Sequence, residues 1–274
     1  MDARLPLSPQ VFAILSALLE ERIGVHYAAA DADLLAERVS PRALERNFES
    51  LLDYYYFLRY DPAADAELAS LVEALVVNET YFFREAAALR TIADVFVPAL
   101  LARGIEPRIW CAASSTGEEP LTLAMLLDER GLLKRVKIVA SDISRRVLSH
   151  AREGRYVRRS LRALPEHVLG RWLEAEGEGV RVVPRIADAI EWQRVNLVSE
   201  QEVSALGRFE IVICRNVLIY FRDRTVERVA ENLSRALQPE GLLLVGASES
   251  LLRFAIPFSC QEHGGVFFYR KQSA

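Results

Sequence analysis

A loop of small residues followed by two acids is the first feature of the sequence that suggests chemistry. Residues 112–117 read Ala-Ala-Ser-Ser-Thr-Gly, and Glu118 and Glu119 follow at once. Small residues let a ligand approach the backbone closely. A helix that begins here would attract an anion, but the two carboxylates repel phosphate. The loop therefore predicts a site for a cationic or hydroxyl-rich ligand, unless the acids only complement the helix dipole.

A further acid, Asp142, ends the run Ile-Val-Ala-Ser-Asp at residues 138–142, 25 residues after Gly117. In open α/β sheets, a carboxylate at the tip of the second strand holds the ribose hydroxyls of nucleotide cofactors. A cap for the following helix is the alternative. The loop is neither G-x-G-x-x-G nor a P-loop. Together these features predict a nucleoside cofactor without phosphates near the loop, and S-adenosylmethionine meets that description.

Residues 78–85 form a second candidate segment, Asn-Glu-Thr-Tyr-Phe-Phe-Arg-Glu. Its three aromatic residues are typical of a packed core. A segment that only packs would not need Asn78, Thr80 and Arg84, so these polar residues indicate a functional role.

Residues 214–221 form the third candidate segment, Cys-Arg-Asn-Val-Leu-Ile-Tyr-Phe, directly after a predicted strand. We expect Arg215 and Asn216 at the carboxyl edge of the sheet, where ligands bind in open α/β folds. Tyr220 follows a turn later, and it either serves the same site or packs against the next helix.

Strands that alternate with helices must position these segments. The predicted strands are residues 108–112, 136–140, 210–214, 242–245 and 266–270, and the predicted helices are residues 118–130, 144–153 and 223–237. This alternation predicts a parallel sheet that is covered on both faces. Residues 161–198 interrupt it with a predicted helix at 165–174, a glycine-rich turn at 176–179 and short extended pieces around 180–183 and 189–197. We interpret them as a small insertion with antiparallel pairing.

The first 75 residues have the apolar spacing of helices only. Three pairs, each a capping residue followed by proline, predict helix starts: Ser8-Pro9, Ser40-Pro41 and Asp61-Pro62. Arg38, Arg42 and Arg46 recur every four residues and would form a basic stripe if one helix carried all three. Pro41 argues against an unbroken helix, and a solvated face is the other interpretation of the stripe. We expect a helical domain at 1–76, a connecting segment at 77–105 and an α/β domain at 106–274.

Composition and charge restrict the classes of protein to which the chain could belong. The chain has 274 residues, 51% of them hydrophobic and 26% charged, with a net charge of −4, which is typical of globular domains. Three cysteines and four histidines form no metal-ligand spacing, so we expect no metal. There is no signal-peptide pattern and no apolar run that could span a bilayer. We therefore predict a cytoplasmic protein that does not insert into a membrane.

Charge is unevenly distributed along the chain. Residues 1–75 hold 13 acids and 6 arginines, whereas residues 145–171 hold eight arginines and two acids. The second stretch would attract an acidic partner. Nucleic acid is a rival partner, but we expect none, because Tyr156 is the only interleaved aromatic that could stack on a base.

Five motifs in order resemble the CheR-type chemotaxis methyltransferases over residues 5–269. They are NETYFFRE at 78–85, STGEEP at 115–120, ASDI at 140–143, RNVLIYF at 215–221 and GASES at 246–250. The resemblance implies an α/β fold of the class I methyltransferase type, Rossmann-like, with a doubly wound, mostly parallel sheet. It also implies a small all-α N-terminal domain and a small inserted β-subdomain, which we place near 176–197.

The resemblance further implies S-adenosylmethionine-dependent methylation of glutamate side chains, with S-adenosylhomocysteine as product. The substrate would be the cytoplasmic helical region of methyl-accepting chemoreceptors, and we expect the enzyme to be a monomer. Arg84 and Tyr220 match catalytic positions. The matching cofactor positions are Asn78, Thr80, Arg84, Glu118, Asp142, Asn196, Leu197, Arg215 and Asn216. A non-catalytic S-adenosylmethionine sensor and a nicotinamide-dependent dehydrogenase are the alternatives.

Overall fold

A computed structural model describes residues 4–272 of the chain. The chain divides into two compact units. The first contains the residues up to Val77 together with Tyr220–Val226, and the second contains Asn78–Ile219 and the residues from Glu227 onward. No helix among the described residues is long and apolar enough to cross a membrane.

The first unit is helical, as the spacing of its apolar residues predicts. Its helices are α1 (Pro9–Ile23), α2 (Ala32–Glu45), α3 (Leu51–Tyr60) and α4 (Ala64–Leu75). The predicted start at Ser8-Pro9 is confirmed, because the Ser8 hydroxyl accepts the Val11 N–H at 3.3 Å. The start at Asp61-Pro62 is two residues early: α4 begins at Ala64, and the Asp61 carboxylate instead accepts the Ala63 N–H.

The prediction of a helix start at Ser40-Pro41 is wrong, since Pro41 lies inside α2. Ser40 is therefore an interior residue of the helix and not its cap, and its hydroxyl donates to the Ala36 carbonyl at 2.6 Å. The arginine stripe is therefore carried by one helix and its end. Arg38 and Arg42 are half-buried and bond within their own unit, whereas Arg46 is exposed.

The arginine contacts of this stripe converge on the fourth helix. Arg38 donates to the Leu75 carbonyl at 2.7 Å. Arg42 pairs with the buried Glu67 at 2.8 Å, and Arg46 lies 3.6 Å from the same carboxylate. The stripe thus compensates a buried acid, because a buried carboxylate without a partner would be costly.

The second unit is built on a seven-stranded sheet that confirms the α/β fold. Its strands are β1 (Arg108–Ala112), β2 (Lys137–Asp142), β6 (Ile190–Arg194), β7 (Phe209–Cys214), β8 (Leu237–Val245), β9 (Phe258–His263) and β10 (Val266–Lys271). They lie in the order β6-β2-β1-β7-β8-β10-β9. Pairing is parallel from β6 to β8 and antiparallel from β8 to β9. The strand order reverses at β1, so the carboxyl ends of β1 and β7 mark the position where such sheets bind ligands.

Helices occupy the connections between these strands. They are α5 (Ala86–Thr91), α6 (Val97–Ala102), α7 (Glu118–Glu129), α8 (Arg145–Glu153), α9 (Pro184–Ala187), α10 (Glu200–Ala205) and α11 (Asp223–Ala236). A π-helical turn, Ile92–Phe96, joins α5 to α6. The buried residues of β1, β2, β7 and α7 are almost all apolar, as expected for strands that are covered on both faces.

A small antiparallel sheet of β3 (Arg155–Tyr156), β4 (Leu173–Glu176) and β5 (Gly179–Val182) is inserted in this unit, in the order β3-β5-β4. The sheet begins earlier in the chain than the predicted span near 176–197 and overlaps that span at β5 and at the end of β4. The extended residues around 189–197 do not join it, because β6 pairs in parallel with β2 of the main sheet.

The predicted helix at 165–174 is also wrong. Only a 3₁₀ turn, Glu166–Val168, forms there. Gly170 adopts φ +80°, which ends any helix, and Leu173 pairs with Val182 in the inserted sheet. The apolar residues that mimic helical spacing include Trp172, which is fully buried and donates to Asp128 at 2.6 Å.

Candidate active site

The loop after β1 is held in an unusual backbone conformation by the end of β2. Ala113 and Ser115 have φ values of 52° and 50°, which cost energy for residues other than glycine. The Ser114 N–H donates to the Ser141 carbonyl at 2.8 Å. The Ser115 N–H donates to Asp142 Oδ2 at 2.9 Å. These bonds compensate the backbone strain and fix the loop at the carboxyl edge of the sheet.

Gly117 ends this loop and precedes α7. It adopts φ +93°, and a Cβ atom at this position would lie 2.6 Å from Trp192 and 2.9 Å from Ala151. Glycine is therefore required here both for its left-handed conformation and for the close approach of its neighbours.

Asp142 joins two loops of the site. Its Oδ2 accepts the Ser115 N–H, and its Oδ1 accepts the Ser144 N–H at 3.0 Å. Asp142 is not itself the cap of α8, because Ser144 is the N-cap and its hydroxyl accepts the Val147 N–H; Asp142 instead holds the N–H of this cap and the β1 loop. Each carboxylate oxygen can accept more than one hydrogen bond, so these two bonds do not by themselves exclude a ligand contact.

Glu118 is 1% exposed and is fixed by two hydroxyl groups. Ser160 Oγ donates to its Oε1 at 2.8 Å, and Thr116 Oγ donates to its Oε2 at 2.7 Å. The Tyr156 hydroxyl donates to the Thr116 carbonyl at 2.6 Å. Burial, with a smaller effect of the Glu118 charge, raises the pKa of Tyr156 well above its usual value, so this tyrosine stays a neutral donor.

Residues 78–85 attach to the same elements through their backbone. The Phe82 N–H donates to the Ser160 carbonyl at 2.9 Å, and the Phe83 N–H donates to Thr122 Oγ at 3.1 Å. Phe83 and Glu85 have φ values of 60° and 47°. Two non-glycine residues with positive φ so close together are typical of a functional segment.

Arg84 lies between these two strained residues. Its Nη1 donates to the Glu79 carbonyl at 3.2 Å, and its guanidinium carbon lies 5.9 Å from the centre of the Tyr81 ring. These contacts restrain the side chain and still leave donors for a ligand, since a guanidinium has five N–H groups. Asn78 and Thr80 are partly exposed at the start of the segment.

Arg215 connects residues 78–85 to α7 through two ion pairs. Its side chain is 2% exposed and forms ion pairs with Glu85 at 2.6 Å and with Glu119 at 2.8 Å. Burial raises the pKa of Glu119, although the charge of Arg215 opposes the shift. Burial lowers the pKa of Arg215, but the two carboxylates outweigh it, so the net shift is upward. We conclude that the predicted cofactor residue Arg215 also carries a structural role.

Asn196 and Leu197 follow β6. The preceding residue, Val195, donates its N–H to the Asp142 carbonyl at 3.0 Å, which brings this segment close to the end of β2. The Asn196 N–H donates to Glu202 at 2.8 Å, and the Leu197 carbonyl accepts from Asn232 at 3.0 Å. Both residues are thereby fixed next to the end of β2.

Unsatisfied polar atoms gather at this edge of the sheet. Within residues 4–272, four side-chain polar atoms are buried without a hydrogen-bond partner; Ser114 Oγ, Ser115 Oγ and Arg215 Nε follow strands of the sheet, and Ser16 Oγ is in α1. Buried polar groups without partners are rare in proteins and call for an explanation such as a ligand. Two hydroxyls beside the carboxylates of Glu118 and Asp142 fit a hydroxyl-rich, cationic nucleoside better than a diphosphate. Among the described residues no cluster of three or more metal-ligating side chains is present.

Comparison with known proteins decides the family. The model of the CheR methyltransferase SAM-binding domain matches residues 78–264, and that of the CheR all-alpha domain matches residues 10–76. The chain belongs to the CheR methyltransferase family. Both the resemblance inferred from the motifs and the class I methyltransferase fold are confirmed.

Curated CheR relatives cover most of the chain. A chemotaxis protein methyltransferase of Salmonella typhimurium is 34% identical over 266 residues, which is 94% of this chain and 90% of the relative. Chemotaxis protein methyltransferase 2 of Pseudomonas aeruginosa is 36% identical over 235 residues, 84% of this chain and 82% of the relative. A protein of the same name from Vibrio cholerae is 31% identical over 244 residues, which is 87% of this chain and 84% of the relative. The prediction of an S-adenosylmethionine-dependent methyltransferase is confirmed, and a non-catalytic sensor is not favoured.

The structure of this CheR protein adds one residue that the sequence analysis did not assign. Glu249, within the GASES motif, accepts four backbone N–H groups: Asn216 at 2.7 Å, Gly246 at 2.8 Å, Leu218 at 2.7 Å and Ile219 at 3.3 Å. It holds Asn216, whose φ is 59°, in its turn. An acid in a motif of small residues is the signal that could have revealed it.

Tyr220 lies at the end of the 3₁₀ turn Leu218–Tyr220 and groups with the helical unit. Its carbonyl accepts the His26 N–H at 2.9 Å, and Phe221 forms a bridge with Val25. The catalytic assignments of Arg84 and Tyr220 stay predictions.

Proposed function

We propose that this chain transfers a methyl group from S-adenosylmethionine to glutamate side chains of methyl-accepting chemoreceptors, forming glutamate methyl esters. The observation that carries this proposal is the pair of carboxylates, Glu118 and Asp142, beside two unpartnered serine hydroxyls at the switch point of the sheet. Chemotaxis methyltransferase relatives at 31–36% identity over most of the chain support the receptor as substrate.

The residues that would hold the cofactor fall into two groups. Glu118 and Asp142 fit hydroxyl groups and positive charge. The others are Asn78, Thr80, Arg84, Asn196, Leu197, Arg215 and Asn216. The ion pairs of Arg215 occupy most of its guanidinium, so this residue would contact the cofactor only through Nε. Its Nη1 and Nη2 also donate to the Arg84 carbonyl at 3.4 Å, so its main effect would be to position the backbone of Arg84.

A single charge argument explains why the site needs no general base. S-Adenosylmethionine, when bound, supplies a methyl group on a positively charged sulfur. A glutamate side chain has an unperturbed pKa of about 4.3, so it is already an anion at neutral pH. The enzyme must then position the carboxylate and exclude water, and good positioning alone can contribute about 7–11 kcal/mol. A reaction that needs positioning but no proton transfer fits the candidate site, whose residues include no histidine–carboxylate pair.

Arg84 would orient the incoming carboxylate. Its guanidinium is restrained by the Glu79 carbonyl and the Tyr81 ring, so it would make a directed contact and not a close, fully neutralising ion pair. A tight ion pair would weaken the nucleophile. The catalytic role proposed for Tyr220 rests on its position in the RNVLIYF motif, which matches the family's motif.

Replacing Arg84 with alanine tests the proposal. We expect turnover at saturating S-adenosylmethionine to fall by about 100-fold or more, the loss that misplacement of a reacting group produces. The cofactor affinity should fall as well, because Arg84 is also one of the proposed cofactor residues. Base-labile methyl groups on receptor fragments, counted with a radiolabelled cofactor, measure this. Arg103→Ala, at an exposed arginine, is the matched control. Near-wild-type methylation by the Arg84 variant would refute the assigned role.

We further propose that the substrate region is the cytoplasmic helical part of the receptor and that the enzyme acts there as a monomer. The nicotinamide alternative lacks support, since the β1 loop has one glycine and two adjacent acids. A titration with NAD distinguishes this alternative directly.

A further inference from the structure

Most arginines of the stretch 145–171 have partners within the protein. The stretch holds eight arginines against two acids, and six of the eight make an internal contact. Arg145 and Arg146 are engaged. The others that bond internally are Arg152 with the Trp192 carbonyl, Arg155 with Glu176, Arg162 with Glu79, and Arg171 with Glu129.

Arg158 and Arg159 are the exceptions. They are consecutive, they lie in the 3₁₀ turn Arg158–Leu161, and both are exposed. Within residues 4–272 no carboxylate forms an ion pair with either side chain. Adjacent like charges repel each other, so this pair gains more than an internally paired arginine when a carboxylate approaches.

The turn that carries this pair is anchored to the candidate active site. Ser160, the next residue, donates through Oγ to Glu118 at 2.8 Å and accepts the Phe82 N–H at 2.9 Å through its carbonyl. Arg162 donates to Glu79 at 3.1 Å and stacks on Tyr81 at 3.8 Å from the ring centre. The charge pair is therefore held firmly beside the segment that contains Arg84.

Protein, rather than nucleic acid, is the better partner for this charge pair. Binding of single-stranded nucleic acid uses exposed aromatic rings on which bases stack. Tyr156 is buried and bonded to the Thr116 carbonyl, and the Tyr81 ring is covered by Arg162. A substrate that presents glutamates brings negative charge. In the arginine stripe of α2, by contrast, Arg42 is paired with Glu67 and Arg38 is bonded to the Leu75 carbonyl.

We infer that Arg158 and Arg159 form a docking surface for an acidic helical segment of the methyl-accepting substrate. This inference rests on the proposed function and specifies where the substrate binds. Charges at the rim of an interface act mainly on the association rate and its salt dependence. The surface should therefore control how efficiently the receptor is captured and not how tightly the cofactor binds.

The test is a double charge reversal, Arg158→Glu with Arg159→Glu, in the full chain. The matched control is Lys134→Glu with Arg135→Glu. These two residues are also adjacent, exposed and in a 3₁₀ turn, Leu133–Arg135, but they precede β2 and so lie at the opposite end of the strands from the site. Both double variants change the charge by the same amount. The probes are cytoplasmic fragments of the receptors encoded in the same genome.

We expect the docking variant to lose at least about tenfold in kcat/KM for the receptor fragment at low salt. The deficit should shrink as salt rises, because the screening length falls to about 8 Å at 0.15 M. The control should stay within about twofold of wild type, and calorimetry should show unchanged S-adenosylmethionine affinity for both variants.

The outcomes separate the two hypotheses. Wild-type protein that leaves every receptor fragment unmethylated refutes the proposed function and this inference with it. Wild-type methylation with equal kcat/KM in the docking variant and the control refutes the inference alone. An unchanged receptor kcat/KM together with loss of binding to a single-stranded RNA probe would also overturn it, in favour of nucleic acid.

Discussion

Replacing Glu249 with glutamine tests how the turn that carries Asn216 is held. Oε1 of Glu249 accepts the N–H groups of Leu218 and Ile219, and Oε2 accepts those of Asn216 and Gly246. Glutamine keeps one acceptor oxygen and turns the other into an NH₂ donor, so one pair of N–H groups loses its acceptor. A hydrogen bond to a charged group is worth about 1.5–3 kcal/mol. Two lost bonds predict a destabilisation of about 3–6 kcal/mol.

Urea unfolding followed by circular dichroism measures this loss, and calorimetry measures the accompanying change in S-adenosylmethionine affinity. We expect weaker cofactor binding as well, because the turn positions Asn216. Glu262→Gln, at an exposed position in β9, is the control and should change stability by no more than about 0.5 kcal/mol. A Glu249 variant within about 1 kcal/mol of wild type would show that the carboxylate does not hold the turn.

Two further predictions concern packing and burial around the site. Gly117→Ala should lower stability by about 2–4 kcal/mol, because the new Cβ would approach Trp192 to 2.6 Å at a left-handed φ; an unchanged melting temperature would contradict this. Burial raises the pKa of the Cys111 and Cys214 thiols well above their usual values, so the exposed Cys260 alone should react rapidly with an aromatic disulfide reagent at pH 8. Fast reaction of more than one thiol in the native protein would refute the burial of this core.

The parts of the fold with strong apolar patterns could be predicted from the sequence. The strands β1, β2 and β7 and the helix α7 lie within two residues of their predicted bounds, because continuous apolar runs and a following glycine or acid mark them. The polar residues after these strands could also be predicted, since the carboxyl ends of parallel strands meet at one edge.

Tertiary contacts decide the elements that the sequence did not reveal. Pro41 lies within α2 although it has no backbone N–H to donate, and the ion pairs of Arg42 and Arg46 with the buried Glu67 stabilise the part of the helix that follows it. The strand β9 at Phe258–His263 mixes polar and apolar residues without a clear period and forms only through pairing with β10.

Some site residues also depend on tertiary contacts and could not be predicted from the sequence. Asp142 and Glu118 stand at positions that fold rules predict. Glu249 is different, because its four N–H contacts come from two loops that are about 30 residues apart in the chain. The structural role of Arg215 likewise depends on Glu85 and Glu119, and no spacing rule brings these three residues together.

Calorimetric titration with S-adenosylmethionine and with NAD tests most directly whether Glu118 and Asp142 hold the cofactor. It is carried out on the wild type and on the variants Glu118→Gln and Asp142→Asn. We predict that the wild type binds S-adenosylmethionine and not NAD, and that each variant binds it at least about tenfold more weakly, the equivalent of about 1.4 kcal/mol. Binding of NAD by the wild type, or wild-type affinity for S-adenosylmethionine in both variants, would contradict the central claim that these carboxylates hold the cofactor.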